Sequence, residues 1–416
     1  MRVLVHPHEL SVGGSQLNAV ELAAAVRDRG HEVAVYGVPG QLAGRIGELG
    51  LELIDAPDDG RRPSPAAARR LAAVVKAERI DLVHGYEWPP ILAAWAAARF
   101  ARDVPVVGTI LSMGVAPFLP PSLPLIVGTR QLGQQAEARY PNVHVIEPPV
   151  DTEADHPGVD PGPFRAAFAL DERPTVVVVS RLAVDLKLEG LERAIAAVAA
   201  LATESPVRLV IAGDGEARAR LETLAAAVNA ERPGTVVLTG QLLDPRPAYA
   251  AADVVLGMGG SVLRGLAFAK PAVVLGEDGF SEVLDAASAP RFLWHGFYGL
   301  GDGELGPGRL ACQLRGLLAD AGRRAELGAF ARELVTERFS LAALGRSLEG
   351  VYAGALADPG SRLGALAGGI VAAAGVTRYK LARRRARRAG AGAVDDFNAR
   401  PVIIAPPPPE QVRSST

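Results

Sequence analysis

From residue 2 to about residue 356 the chain alternates short runs of apolar, β-branched residues with alanine-rich stretches of helical period. No other feature constrains its fold as strongly. Strands are expected near 2–6, 32–36, 51–54, 81–84, 104–109, 124–127 and 143–146, with helices near 15–29, 66–78, 89–102 and 130–139. A second series follows, with strands near 175–180, 207–212, 235–239, 253–256 and 271–275 and helices near 308–320, 322–336 and 340–356. Such alternation implies right-handed βαβ units and parallel sheets covered on both faces. One stretch interrupts it. Residues 147–174 are rich in proline, glycine and acids, the composition of an interdomain linker.

A length of 416 residues supplies two domains, each with its own core, and 49% hydrophobic with 22% charged residues is a globular composition. The net charge of −2 gives no basis for a nucleic-acid partner. The single Cys312 excludes an internal disulfide framework, and MRVLVHPHEL reads as a strand rather than a secretory signal. A cytoplasmic location is expected on both grounds.

Three loops carry candidate chemistry. Val176–Val179 run into Ser180–Arg181, and Lys187 then opens a helical pattern, one of only four lysines in the chain. A strand that fixes an Arg, a helix start with free N–H groups and a mobile ammonium together suit a diphosphate. Gly257–Met258–Gly259–Gly260–Ser261 precedes another helix and forms a second phosphate-cradling candidate. Gly13–Gly14–Ser15–Gln16 lies between the first strand and first helix, where glycines admit a ligand close to the backbone. No D-x-D string occurs, and His6 and His8 have no Cys or carboxylate at metal-ligand spacing. Basic side chains must therefore do the work of a metal, and neither a metal nor another cofactor is expected. His84 and His6/His8 end expected strands, the edge at which open α/β sheets bind ligands. Glu87 and Trp88 follow His84 as an acceptor wall, and Glu277 and Glu282 follow strand 271–275 as either site-lining or helix-face carboxylates.

In order and spacing, VVVVSRLAVDLKLEGL, RLVIAGDGEARARLETLA, VVLTGQLLDPRPAYAAADVVLG and MGGSVLRGLAFAKPAVVLGEDGFSEVL resemble the C-terminal half of GT-B glycosyltransferases of the family 4 type. The N-terminal strand, diglycine loop, helix and second strand fit the same family over roughly residues 1–350. The resemblance implies an α/β fold of two Rossmann-like domains facing across a cleft, and a last helix that crosses back to the N-terminal domain. The expected division is 1–165 for the acceptor-side domain, 166–340 for the nucleotide-sugar domain, 341–358 for the crossover helix and 359–416 for a poorly ordered tail. It further implies transfer of a sugar from a nucleoside-diphosphate sugar, as co-substrate, to a hydroxyl acceptor, with retention of configuration and without a metal.

On this resemblance Arg181 and Lys187 are the catalytic cations. Gly13, Gly14, Gly259, Gly260, Ser261, Arg264, Gln241, Leu242 and Glu282 fall on the donor side. His84, Glu87, Trp88 and Thr109 fall on the acceptor side, and Asp214 in Gly213–Asp214–Gly215 caps a helix. The chain departs from the family pattern at two glutamates. The loop shortened to GMGGS lacks the first, and Arg264 stands where the second belongs, either adding charge toward the diphosphate or pointing to solvent. Two further classes are opened by that departure: a catalytically silent sugar-nucleotide-binding protein, and a nucleotide-sugar 2-epimerase. Finally, apolar LGALAGGIVAAAGV (363–376) falls short of a bilayer span and runs into TRYKLARRRARRAG. The stretch 363–388 reads either as a partly ordered tail or as a peripheral contact with the inner face of a membrane.

Overall fold

The computed structural model describes residues 1–101 and 103–389. They divide into two compact units, one of Met1–Pro149 with the described residues from Leu341 onward, the other Val150–Ser340.

The first unit holds seven parallel strands: β1 (Arg2–His6), β2 (Glu32–Gly37), β3 (Glu52–Asp55), β4 (Leu82–Tyr86), β5 (Val106–Ile110), β6 (Leu125–Val127) and β7 (Val143–Val145). Their order is β3-β2-β1-β4-β5-β6-β7. Helices α1 (Gly14–Arg27), α2 (Ala43–Glu48), α3 (Pro65–Ala77), α4 (Trp88–Ala101) and α5 (Arg130–Glu137) are the connections. β4 and β5 are buried along their whole length, so their sequences do not alternate apolar with exposed polar residues, and their polar members His84 and Thr109 bond each other inside. Ser64 and Thr129 cap α3 and α5 by accepting from Ala67 N and Leu132 N.

The second unit contains α6 (Gly162–Ala167), β8 (Thr175–Val179), α7 (Leu188–Leu201), β9 (Arg208–Ala212), α8 (Arg218–Glu231), β10 (Val236–Gly240), α9 (Arg246–Ala250), β11 (Val254–Gly257), α10 (Gly260–Ala267) and β12 (Ala272–Leu275). β13 (Ser281–Val283), α11 (Ala289–His295), α12 (Gly308–Ala319) and α13 (Ala321–Arg338) complete it. The sheet order is β10-β9-β8-β11-β12-β13, parallel except for the edge strand β13.

The chain between the units differs from the expected linker. Residues 150–165 belong to the second unit, not to a first domain ending at 165. The reason is packing and charge. Phe164 is buried in that unit's core, and the wholly buried Asp155 carboxylate pairs with Arg264. Arg332 adds three hydrogen bonds, to Asp155 O (2.9 Å), Ala267 O (2.8 Å) and Thr152 O (2.9 Å).

After α13 the chain returns to the first unit as α14 (Leu341–Ala357), which packs on α1. Gly345 lies against Ala25, and Glu349 accepts from both Arg29 and His31. The tail expected to be poorly ordered from 359 instead forms α15 (Arg362–Arg388) in the same unit. Ser361 caps it, accepting from Gly364 N at 3.0 Å, and Ala365 and Ala372 are buried in the core beside Trp95. Residues 390–416, including the proline-rich end, lie outside the described residues.

His84 and Thr109 are internal to this packing, not acceptor contacts. His84 on β4 is fully buried, with Nδ1 2.6 Å from the Tyr352 hydroxyl of α14 and Nε2 2.7 Å from Thr109 Oγ1. Two polar partners on the ring let an imidazole be buried without stranding a nitrogen. Burial pulls His84 down to about 3, and His6, against Tyr36 O at 2.9 Å, down to about 4.

Both histidines are therefore neutral in the fold and must take up protons on unfolding below their ordinary value of 6.5. Stability of the first unit is expected to fall as pH drops from 6.5 toward about 4, by up to about 1.4 kcal/mol per pH unit for each histidine. Urea unfolding of a Trp294→Phe variant, followed by the remaining Trp88 and Trp95 fluorescence of that unit, measures this. A pH-independent midpoint over that range would contradict it.

Candidate active site

In the second unit successive strands add to one side of β8 and then to the other, so the loops after β8 and β11 leave neighbouring strands from the same edge. Open α/β sheets bind ligands at such a reversal of strand order. Arg181, Lys187, Gly259, Gly260 and Ser261 all stand on these two loops and the helix starts that follow.

The Arg181 loop is fixed by glycine. A Cβ on Gly213, whose φ is +148°, would sit 1.8 Å from Ser180 O, so any side chain there would displace the loop. Leu182 N donates to Asp214 O at 2.9 Å, and Ala217 N to Leu182 O at 2.9 Å. Asp214 is not the expected helix cap. The residue before α8 is Ala217, and the Asp214 carboxylate is taken up by Gly215 N (2.8 Å) and Arg218 (3.1 Å).

Lys187 is the cap residue of α7, with no side-chain acceptor of its own, and Leu186 before it has φ +67°. That costs a branched residue of order 1–3 kcal/mol, as is common where a loop is shaped for a ligand. Burial pushes the Lys187 amine down to about 8; Arg181 lowers it further and Glu277 opposes. Among the described residues neither the Arg181 guanidinium nor the Lys187 ammonium makes a hydrogen bond or an ion pair, whereas much of the chain's other arginine is paired with acids. A lysine held near an arginine, with no acid hydrogen-bonded or ion-paired to either, forms a site for an anion.

The opposite loop supplies backbone donors. Gly259 precedes α10 with φ +60°, no side chain caps the helix, and a Cβ on Gly259 or Gly260 would meet nothing within 4 Å. Gly259 N donates to Phe297 O at 2.6 Å, and beyond it the helix start opens onto free space with the N–H groups of its first turn and the positive end of the dipole. Ser261 Oγ is engaged, donating to Met258 O at 3.0 Å.

Glu277, not Glu282, is the carboxylate at this edge. Gly276 and Gly279 turn the chain after β12 back into the antiparallel β13, which carries Glu282 to Arg291 of α11. Glu277 stays on the loop, accepts from the Tyr298 hydroxyl and acts electrostatically on Lys187. The loop is held from α7: both Glu189 oxygens accept, from Asp278 N at 3.0 Å and Gly279 N at 2.8 Å. The β13 strand is three residues long, too short to stand out in an apolar run, so Glu282 reads in the sequence as helical.

Arg264 neither reaches the cations nor points to solvent. Its Nε lies 2.8 Å and its Nη2 3.3 Å from the two Asp155 oxygens. No local signal pairs positions 109 residues apart. Gln241 and Leu242 follow β10 at the same sheet edge, separated from β8 by β9; Gln241 is exposed and Leu242 packs on the core.

The first unit has its own reversal, between β1 and β4. Gly13 precedes α1, and a Cβ on Gly14 would meet nothing within 4 Å. Glu87, at φ +67° after β4, has a carboxylate that accepts from Leu111 N (3.0 Å), Ser112 N (3.1 Å) and Ser112 Oγ. Burial pushes it up, against these donors and the nearby His8. Trp88 is not an open wall: it packs edge-on against Phe118 (5.3 Å) and Tyr379 of α15 (5.9 Å).

The family model described as Glycosyltransferase Family 4 matches residues 12–154, and that of Glycosyl transferases group 1 matches residues 173–294. Together they span more than half of the chain. A glycosyltransferase from Rickettsia africae ESF-5 is similar in structure, with a TM-score of 0.67 and 15% identity over 84% of this chain and 97% of that one. Anabaena HepE, solved in complex with UDP, superposes with a TM-score of 0.66 and 18% identity, covering 85% of this chain and 100% of that one. WaaG, a glycosyltransferase involved in lipopolysaccharide biosynthesis, gives 0.56 and 16% over 83% and 98%. No curated protein matches the chain.

The two cations and Glu277 form a coupled set whose signs can be checked. With the lysines carrying 13C-methyl labels, the Lys187 signal is expected to titrate with a midpoint near 8. The midpoint should rise in Arg181→Gln, which removes a like charge, and fall in Glu277→Gln, which removes an opposite one. A midpoint indifferent to both changes would show that the three groups are not neighbours.

Proposed function

We propose, from the premise that this chain belongs to the GT-B glycosyltransferases of the family 4 type, that it moves a sugar from a nucleoside-diphosphate sugar to a hydroxyl acceptor. The observation that carries the donor assignment is the unpaired Arg181–Lys187 pair on the loop after β8, the strand next to the one that leads into the glycine-led start of α10. HepE, which shares the fold, has been solved with UDP and with UDP-glucose, which supports the same donor class here.

In this reading the acceptor oxygen bonds to the anomeric carbon while the bond from that carbon to the β-phosphate oxygen breaks. The acceptor proton passes to the departing diphosphate, and the sugar keeps its configuration because attack and departure share one face. Negative charge grows on the β-phosphate, where fixed cations and helix N–H groups stabilise the transition state more than the ground state. Arg181 and Lys187 thereby supply the charge that a metal provides elsewhere, which agrees with the lack of a D-x-D string. Glu277, beside Lys187, is available to accept from a sugar hydroxyl, and Gln241 and Leu242 border the nucleoside. On the acceptor side Glu87, with Gly13 and Gly14 at the same sheet edge, takes the place of His84 and Thr109.

One observation favours a second reading, a protein that binds the donor without turning it over. Arg264 stands where the family pattern has a glutamate, and it is committed to Asp155.

A panel of nucleoside diphosphates in a thermal-shift assay separates these. A ligand at a hundred times its Kd raises stability by about 2.7 kcal/mol, and the base that does so names the donor. Affinity should fall as pH rises through about 8, where Lys187 loses its proton, and Lys187→Arg should flatten that profile. With the matching sugar donor, Lys187→Ala should cost about 2–4 kcal/mol in kcat, the effect of removing one charge-stabilising donor. Turnover should persist in EDTA. Tight donor binding with neither transfer nor hydrolysis would instead establish the silent protein.

A further inference from the structure

We propose that the outer face of α15 is a docking surface for an anionic lipid bilayer, on which the first unit lies without spanning it.

Packing fixes the rotation of this helix. Trp95 Nε1 donates to Ala365 O at 3.2 Å, and Ala365 and Ala372 are buried. A Cβ on Gly368 would come within 3.1 Å of Pro120 and one on Gly375 within 2.3 Å of Phe118, so the small residues face inward. The opposite row is consequently set. Leu363, Leu366 and Ile370 recur at spacings of three and four, Ala374 and Thr377 continue the row, and Leu381 ends it. Leu363 is 80% exposed, Leu366 48%, Ile370 63% and Leu381 46%. Side chains of this size in one row on the outside of a small-residue helix leave half or more of Leu363 and Ile370, and nearly half of Leu366 and Leu381, uncovered by the first unit.

Charge selects the occupant. From residue 378 the helix carries Arg378, Lys380, Arg383, Arg384, Arg385, Arg387 and Arg388, and the whole of 362–388 contains no acid. Arg383 turns onto Tyr379, 5.7 Å above its ring. Among the described residues Arg378, Lys380, Arg384, Arg385, Arg387 and Arg388 make no ion pair. The same face of a second copy would offer the basic turn no counter-charge, since 362–388 has no acid, and a nucleic acid would leave Leu363 and Ile370 in water. A bilayer with anionic headgroups satisfies both parts, taking the apolar row at the acyl boundary and the basic turn at the phosphates. No helix among the described residues is long and apolar enough to cross a membrane, so the contact is one of lying on the surface.

The orientation follows from two contacts. Ala365 meets Trp95 and Tyr379 meets Trp88, so α15 runs antiparallel to α4. Its basic end therefore lies at the start of α4, the sheet edge that carries Glu87.

The test is co-sedimentation of the full chain with vesicles of phosphatidylcholine alone or mixed with phosphatidylglycerol. Binding is expected only to the mixed vesicles, and to weaken as salt is added. Arg384→Gln with Arg385→Gln and Arg388→Gln should lower partitioning by about a hundredfold, since each basic residue near the surface contributes roughly fivefold. Leu363→Ser with Leu366→Ser and Ile370→Ser should remove the part of binding that survives high salt. All six side chains are exposed, and unchanged urea midpoints would show that both variants fold. Equal partitioning into both vesicle types, or none into either, overturns the proposal. So does a dimer in light scattering that the Leu and Ile changes dissolve while the wild type ignores vesicles, which would make this row an interface between copies.

Discussion

Unpaired positive charge at a sheet edge is the constraint around which the second unit is arranged. A half-buried ammonium next to a guanidinium costs energy in the empty protein, and the chain has neighbouring acids that could have neutralised it. Glu189 sits two residues from Lys187, yet both its oxygens are spent on Asp278 N and Gly279 N. Glu216 accepts from Val184 N, and Asp214 turns to Arg218. These three acids are committed to backbone or to another arginine, while Glu277, which accepts from Tyr298, acts on Lys187. The loops are rigid because their acids are used as struts, and the cations are left for a ligand for the same reason.

Strand topology decides where that charge can be read. The reversal between β8 and β11 separates two loops that would otherwise pack on each other, and the one between β1 and β4 does the same in the first unit. Both reversals place glycine before a helix on one loop: Gly259 before α10, Gly13 before α1. The partner loops differ. One offers cations and the other a half-buried glutamate held by Leu111 N and Ser112 N, so the units present opposite chemistry from the same architecture. A diphosphate suits the first edge, and a hydroxyl donor suits the second.

The strands and long helices were legible because a buried parallel strand needs a continuous apolar run and a covering helix needs a periodic one. Lys187 and the GMGGS loop were legible for a related reason: a cation or a glycine run just after such a strand has few other uses. What escaped the sequence was long-range. His84 ends an apolar strand as a ligand-binding histidine does, and only Tyr352, 268 residues away, shows that the ring is internal. Trp88 looks like an exposed aromatic until α15 covers it. The helix α15 was itself obscured by composition, since alanine, glycine and arginine in succession read equally as a tail. Its order comes from Trp95, Phe118 and Pro120, none of which is near it in sequence.

Arg264 shows how a departure from the family pattern acquires a structural use. A glutamate at that position would face Asp155, a fully buried carboxylate whose burial already pushes it toward the neutral form. Two acids there would repel at low dielectric, so the arginine and the aspartate are only stable as a pair. The pair then ties the 150–155 segment to α10, with Arg332 closing the other side. Because α10 begins at Gly260, just after the loop that follows β11, this same ion pair holds the body of the helix that starts at that sheet edge. The arginine therefore serves the packing of the second unit, bracing α10 against the 150–155 segment.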